Sequence, residues 1–240
     1  MPAAIILGAS GSVGNALITE LLRDGGFDPL VTLSRRSAPE VVAMAHAAHR
    51  TLREQIVPDM NPGTLEAATL EALRAVDGEA AGFSVLGIGA GTAKLTIDAH
   101  RAVDVALNEA FAKALKESGK VHQLGLMTAA GSNPDAKPDG SGAAGMARYN
   151  RVKGEEEQAV RAHGPAVISI FRPAMIIGSQ HTPWLVEKIL PLFAFVTPGK
   201  YRSITVTEIA QAMIASAKER PATSAVYHYP EMMALIERGG

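Results

Sequence analysis

The chain contains no cysteine. That excludes disulfides, thiolate nucleophiles and cysteine-held metals, and it fits a reducing compartment, so the cytoplasm is the expected location. The chain also lacks a charge excess of either sign: its formal net charge is −1. No general attraction to nucleic acid or to an anionic membrane follows from such a balance. No apolar run approaches the roughly 18 residues of a membrane span. Met1-Pro2-Ala3 leads directly into an apolar strand pattern, so no signal peptide is expected. The seven histidines are scattered, and His46 and His49, which share a helix face, have no third ligand beside them. They read as a solvated face, and no metal is expected. What remains is 240 residues, 47% hydrophobic and 20% charged, enough for one globular domain with a substantial core.

The strongest local signal lies in the first fourteen residues. An apolar run, Ala4-Ile5-Ile6-Leu7, is followed by Gly8, Gly11 and Gly14 and then by an amphipathic segment over residues 15–23. Strand, tight turn and helix in this order form the dinucleotide-binding arrangement, although the spacing is G-x-x-G-x-x-G and not G-x-G-x-x-G. Gly8 allows the sharp turn. Gly11 lets a pyrophosphate approach the backbone, and Gly14 lets the helix lie against the strand. The first helical N–H groups and the helix dipole then favour the phosphates. Gly8, Ser10, Gly11, Ser12, Val13 and Gly14 are therefore the candidate cradle.

The second strand, residues 30–33, ends in Ser34-Arg35-Arg36. An acidic residue at this point would hold a ribose 2′-hydroxyl and repel a 2′-phosphate. The two arginines offer a cationic fork instead, so NADP(H) is expected over NAD(H). Residues 40–50 read as a helix and 53–57 as a third strand. Asp59 follows it, placed either to meet an adenine amino group or to cap a turn. A helix is expected over 64–76 with Thr64 as its N-cap. Residues 83–91 read as a fourth strand entering a second glycine-rich loop. There Gly87, Ile88 and Gly89 would let a cofactor pass over the strand's carboxyl end, or would form a flexible turn. One long helix is expected over 95–118, a fifth strand over 121–127, a Pro/Asp/Gly/Ser-rich loop over 133–145 and a helix over 146–163. A sixth strand over 166–171 and a last amphipathic helix over 205–218 complete the pattern. Residues 184–196 are apolar around Pro191 and stand as core, as an oligomer contact such as a homodimer interface, or as a substrate lid. Alternating strands and helices predict an α/β fold: a Rossmann-type doubly wound parallel sheet with helices on both faces. It would be a single domain, with a small substrate or lid region at about residues 174–203.

Tyr149 and Lys153 lie four residues apart on the predicted 146–163 helix and so share a face. A phenol ionises near pH 10 in water. A neighbouring ammonium is expected to lower that value, so that Tyr149 exchanges a proton with a carbonyl or alcohol oxygen while Lys153 also holds ribose hydroxyls.

Gly8-x-x-Gly11-x-x-Gly14, Tyr149-x-x-x-Lys153-Gly154-Glu155 and Phe171-Arg172-Pro173 together resemble the short-chain dehydrogenase/reductase superfamily. More narrowly they resemble its atypical NAD(P)-binding branch, similar to the Tat-interacting oxidoreductases, over residues 3–217. The resemblance implies a Rossmann fold, bound NADP(H) and a Tyr149–Lys153 catalytic pair. It also implies that Arg172-Pro173 leads into a segment whose backbone meets the nicotinamide amide, with Pro173 and Ile176 as contacts. The family's serine after the fifth strand is replaced by Thr128-Ala129, so Thr128, or Ser132 nearby, is the candidate for the substrate oxygen. The superfamily's helix asparagine corresponds to Asp104. The sequence does not carry the longer C-terminal region of sugar-nucleotide epimerases, so a nucleotide-sugar substrate is not expected.

Two functions follow. One is an NADP(H)-dependent oxidoreductase that moves hydride between nicotinamide and a small carbonyl or alcohol. The other is an NADP(H)-binding regulatory or scaffold protein with little or no turnover.

Overall fold

Strand β1, Ala3–Leu7, is buried along its whole length, and its alternate residues feed two different apolar layers. Ala4 and Ile6 pack with Leu17, Leu21, Ile209 and Met213 on one face. Ala3, Ile5 and Leu7 pack with Leu65, Phe111 and Leu115 on the other. This is the two-residue side-chain period of a central strand covered on both sides. The computed structural model describes residues 1–89, 95–137, 144–178 and 199–239, and every structural statement concerns those residues.

In chain order β1 is followed by α1 (Ser12–Asp24), β2 (Leu30–Ser34), α2 (Pro39–Ala47), β3 (Leu52–Ile56), α3 (Pro62–Arg74) and β4 (Ala80–Ser84). Then come α4 (Ile97–Asp104), α5 (Ala106–Glu117), β5 (Val121–Met127), α6 (Ala144–His163) and β6 (Val167–Phe171). The last part holds β7 (Ile176–Ile177), β8 (Ile204–Thr205), α7 (Val206–Glu219), β9 (Ala225–Tyr227) and α8 (Tyr229–Gly239). The main sheet has the order β3-β2-β1-β4-β5-β6-β9, and each of its pairs is parallel. Helices α1 and α7 pack together, as do α3 and α5, and α5 and α6. The α/β doubly wound architecture read from the sequence is the observed one. The strand order reverses between β1 and β4, so the crevice for a ligand opens at the carboxyl ends of these two strands.

Several boundaries differ from the sequence pattern. Helix α3 begins at Pro62 with Asn61, not Thr64, as its N-cap. The Asn61 side chain accepts from the Thr64 N–H at 3.1 Å, and the Thr64 hydroxyl accepts from the Asn61 N–H at 3.0 Å. Proline fits the first helical position because its missing N–H would have no partner there. The predicted long helix is two, divided at Val105 (φ −91°, ψ −61°), beside which the Asn108 side-chain amide donates to the Asp104 carbonyl at 2.8 Å. Strand β4 starts at Ala80, in register with Ala3, so Gly87 to Gly89 lie beyond it. The short elements β7, β8, β9 and α8 have no counterpart in the sequence reading. Residues 184–196 lie outside the described residues. Among the described residues, no helix is long and apolar enough to cross a membrane.

Candidate active site

The turn after β1 is shaped by the closeness of its neighbours. Gly8 has φ +90°, and a Cβ on it would lie 2.6 Å from the Leu86 nitrogen. A Cβ on Gly14 would strike the Gly8 carbonyl oxygen and stand 2.7 Å from Ala9 Cα, so α1 rests directly on the turn. Gly11 is different. It is exposed, and a Cβ there would meet only the Gly8 oxygen, at 3.5 Å. Gly11 caps α1 without a side-chain hydrogen bond, and the first turn of α1 has no acidic residue. A helix start with neither a capping side chain nor an acid fits a dinucleotide pyrophosphate. Ser10 is exposed and Ser12 half-buried. Val13 is packed into the core, which leaves its backbone as the group that faces the turn.

Arg35 and Arg36 follow β2, and both are exposed. The Ser34 hydroxyl donates to the Arg36 carbonyl at 2.7 Å and fixes this turn. Neither guanidinium has a polar partner among the described residues. Asp59 is drawn into the start of α3: its carboxylate accepts from Asn61 Nδ2 at 3.1 Å, and its carbonyl accepts from the Thr64 hydroxyl.

Helix α6 carries Tyr149 and Lys153 to the carboxyl end of the sheet. The Tyr149 ring stacks on that of His100 with centroids 5.8 Å apart and planes at 20°. Lys153 is 3% exposed, and its ammonium lies between two carboxylates, 2.9 Å from Asp104 Oδ2 and 2.8 Å from Glu156 Oε2. Asp104 also accepts from the Ile88 N–H at 3.1 Å and lies 3.2 Å from His100 Nε2. Glu156 Oε1 accepts from Asn108 Nδ2 at 2.9 Å, and Asn108 in turn accepts from the Ser84 hydroxyl. The loop after β4 crosses directly above: a Cβ on Gly87 would lie 3.1 Å from Lys153 Nζ and 3.3 Å from Asp104 Oδ2. Among the described residues, nothing lies within 4 Å of a Cβ placed on Gly89.

This setting corrects one expectation. Burial raises the Tyr149 phenol above its usual value; Lys153 pulls it down, but Asp104 and Glu156 push it up again. The ammonium meant to lower it is shared with two acids. Burial alone would depress Lys153, yet Glu156 and Asp104 outweigh it and hold the ammonium well above the usual lysine range. Burial works against the Asp104 carboxylate too, but His100 and Lys153 keep it below the usual value.

Thr128 and Ser132 are also engaged otherwise than expected. Thr128 is buried, and its hydroxyl donates to Glu157 Oε1 at 2.7 Å. Glu157 is forked by Arg172, with Nε at 2.9 Å and Nη2 at 2.5 Å. The Ser132 hydroxyl donates to the Ala129 carbonyl at 2.7 Å. A hydroxyl has one hydrogen, so in this arrangement neither side chain donates to a substrate oxygen. The Pro173 carbonyl accepts from the Ala130 N–H at 2.8 Å, and Ile176 pairs with Ile204. The Arg172-Pro173 corner is thereby tied to the end of β5.

The sequence reading missed His100, Asn108 and Glu156. Glu156 carried a partial signal, since it stands three residues after Lys153 and so near it on a helix. It is hidden in the run Glu155-Glu156-Glu157, whose members point three ways. Glu155 pairs with Arg101 at 2.7 Å and Arg151 at 3.0 Å, Glu156 with Lys153, and Glu157 with Arg172. A separate groove of about 330 Å³ lies at the far end of α1, lined in part by Glu20, Asp24 and Lys218. It lies away from the cradle, and its charges pair with one another: Lys218 stands 2.6 Å from Asp24, and Arg23 2.6 Å from Glu20.

No family model matches the chain. Two curated relatives are called Protein fmp52, mitochondrial. The one from Emericella nidulans is 26% identical over 79% of this chain and 73% of its own length. The one from Aspergillus fumigatus is 27% identical over 82% and 76%. Among solved structures, a short-chain dehydrogenase/reductase from Serratia marcescens superposes with a TM-score of 0.67 at 15% identity, over 96% of this chain and 98% of that one. A carbonyl reductase from Pseudomonas aeruginosa gives 0.67 at 17% over 96% and 98%. The yeast methylglyoxal/isovaleraldehyde reductase Gre2, in complex with NADPH, gives 0.66 at 11% over 94% and 78%. With the sheet order and the glycine turn already established, these likenesses show that the chain has the Rossmann-type fold of the short-chain dehydrogenase/reductases.

Proposed function

We propose that this protein is an NADP(H)-dependent oxidoreductase of the short-chain dehydrogenase/reductase type, acting on a small carbonyl or alcohol, within the atypical branch that its motifs resemble. The observation that carries this reading is the Tyr149–Lys153 pair on α6, set beside a loop that Asp104 ties to Lys153 and on the same sheet edge as the glycine cradle. The residues fit the cofactor. Gly8, Gly11, Gly14 and the start of α1 would hold the pyrophosphate. Arg35 and Arg36 would hold a 2′-phosphate, Gly87 to Gly89 would pass over the adenosine side, and Lys153 has a third N–H to offer a ribose hydroxyl. A bound nicotinamide supplies the hydride.

Tyr149 gives its proton to the substrate's carbonyl oxygen as negative charge develops there. A phenol held above its usual value is fully protonated at neutral pH, which suits the reducing direction. Lys153 stabilises the phenolate left behind. The engaged hydroxyls of Thr128 and Ser132 favour a second reading, an NADP(H)-binding regulatory protein without turnover, because no side-chain donor other than Tyr149 is assigned to the oxyanion. NADPH oxidation against a panel of aldehydes and ketones separates the two. Turnover supports the enzyme, and tight NADPH binding with no turnover supports the regulator.

Cofactor choice has its own test. Each arginine contact to a phosphate is a charge-assisted hydrogen bond of about 1.5–3 kcal/mol. Arg35→Ala/Arg36→Ala removes two such contacts and is therefore expected to weaken NADPH binding by about 10²- to 10⁴-fold and to leave NADH nearly unchanged, as read by calorimetry. Equal losses for both cofactors would remove the arginines from 2′-phosphate recognition.

A further inference from the structure

Two carboxylates and one ammonium meet where almost no water reaches. Asp104 and Glu156 are each 0% exposed and Lys153 is 3% exposed, and both carboxylates lie within 2.9 Å of the same Nζ. One ammonium is shared by two buried carboxylates, so the acid with the weaker set of partners is the one that holds a proton over part of the working pH range. The partners decide which. Asp104 has the Ile88 N–H, His100 and Lys153 around it. Among the described residues, the hydrogen-bond partners of the Glu156 carboxylate are Lys153 and the neutral Asn108 amide.

We infer that Glu156 is a positioning residue for Tyr149: by taking up or releasing a proton it sets how much of the Lys153 charge reaches the phenol. This rests on the reading that Tyr149 is the acid. Glu156 is faced on its own helix by Lys153, Tyr149 and Glu157, and across the interface by Asp104, with His100 behind it on α4. Asn108 on α5 and Ser84 on β4 complete the surroundings without charge. Burial pushes the Glu156 carboxyl up; Lys153 draws it down, Asp104 raises it again, and it comes to about 8. Below that pH, Glu156 is neutral, and Lys153 and Asp104 alone act on the phenol. Above it, a second negative charge opposes phenolate formation, and proton donation by Tyr149 slows.

Two readouts test this. The first needs neither cofactor nor substrate: Tyr149 ionisation is followed by phenolate absorbance as the difference between the protein and its Tyr149→Phe variant. Glu156→Gln keeps the size and one acceptor but removes the charge. It is expected to lower the Tyr149 midpoint by about one pH unit. The second is the pH profile of kcat for carbonyl reduction, which is expected to fall through about pH 8 in the wild type and to lose that inflection in Glu156→Gln. Asn108→Ala, which leaves every charge in place but removes a donor to the ionised carboxylate, is expected to move the inflection to higher pH. It keeps the test open if Glu156→Gln does not fold. An unmoved Tyr149 midpoint in folded Glu156→Gln, or an unmoved inflection in Asn108→Ala, would overturn the inference. A moved midpoint without turnover on any carbonyl would instead sink the oxidoreductase reading and leave the coupling standing.

Discussion

Tyr149→Phe is expected to lower kcat for carbonyl reduction by about 10²- to 10⁴-fold, the range of a positioned general acid, while NADPH affinity stays as it was. The change is narrow. Phenylalanine keeps the ring that stacks on His100 and deletes only the oxygen. The glycine cradle and the two arginines lie on other elements and are not touched. Steady-state NADPH oxidation and calorimetry on the same preparation read the two halves separately. A variant that reduces carbonyls at the wild-type rate would show that the proton comes from elsewhere. One that loses cofactor binding along with activity would show that the hydroxyl serves the cofactor and not the substrate oxygen.

What could be read in advance follows a physical line. The glycine turn was legible because its constraints are local. Gly8 needs a positive φ and Gly14 a contact with a residue six positions away, so both leave their mark within one strand-turn-helix unit. Strand β5 and the Tyr149–Lys153 spacing were legible for the same reason, since a short strand-length segment or a 3.6-residue period is written into adjacent positions. The partners of those residues were not. Asp104 meets Lys153 and Glu156 meets Asn108 across 49 and 48 positions, and Thr128 meets Glu157 across 29. No periodicity encodes such a meeting. The division of the predicted 95–118 helix belongs to the same class. It occurs at Val105, between Asp104 and Asn108, the two α4 and α5 residues that serve the buried ion cluster. For Thr128, residue type gave a hydroxyl but not the direction of its hydrogen, which points to Glu157, itself held by Arg172.

The ion cluster itself makes the largest stability prediction. Lys153→Met keeps an unbranched side chain of similar reach but leaves Asp104 and Glu156 facing each other without a cation. Breaking a buried pair by removing one partner typically destabilises by about 3–5 kcal/mol, and that loss is expected at pH 7 in urea denaturation. Its pH dependence follows from the protons. In the wild type, Asp104 has a folded pKa below its unfolded one, so its contribution is present above the unfolded value and fades only as pH falls through the folded one. Glu156 is the opposite. Its folded pKa is raised to about 8, so its contribution is present below the unfolded value and is lost as pH rises towards 8. Without Lys153 both acids are pushed upward, and both then behave as Glu156 does. Glu156 is already neutral at pH 7 in both proteins and gains alike in each on acidification, so lowering the pH from 7 to 5 relieves the variant through Asp104, by at most about 1.4 kcal/mol per pH unit. The gap between Lys153→Met and wild type should therefore narrow on acidification, whereas Tyr149→Phe, which removes no charge, should show a nearly constant gap. A Lys153→Met deficit of the same size at both pH values would mean that packing, and not the buried Asp104 charge, makes this lysine necessary to the fold.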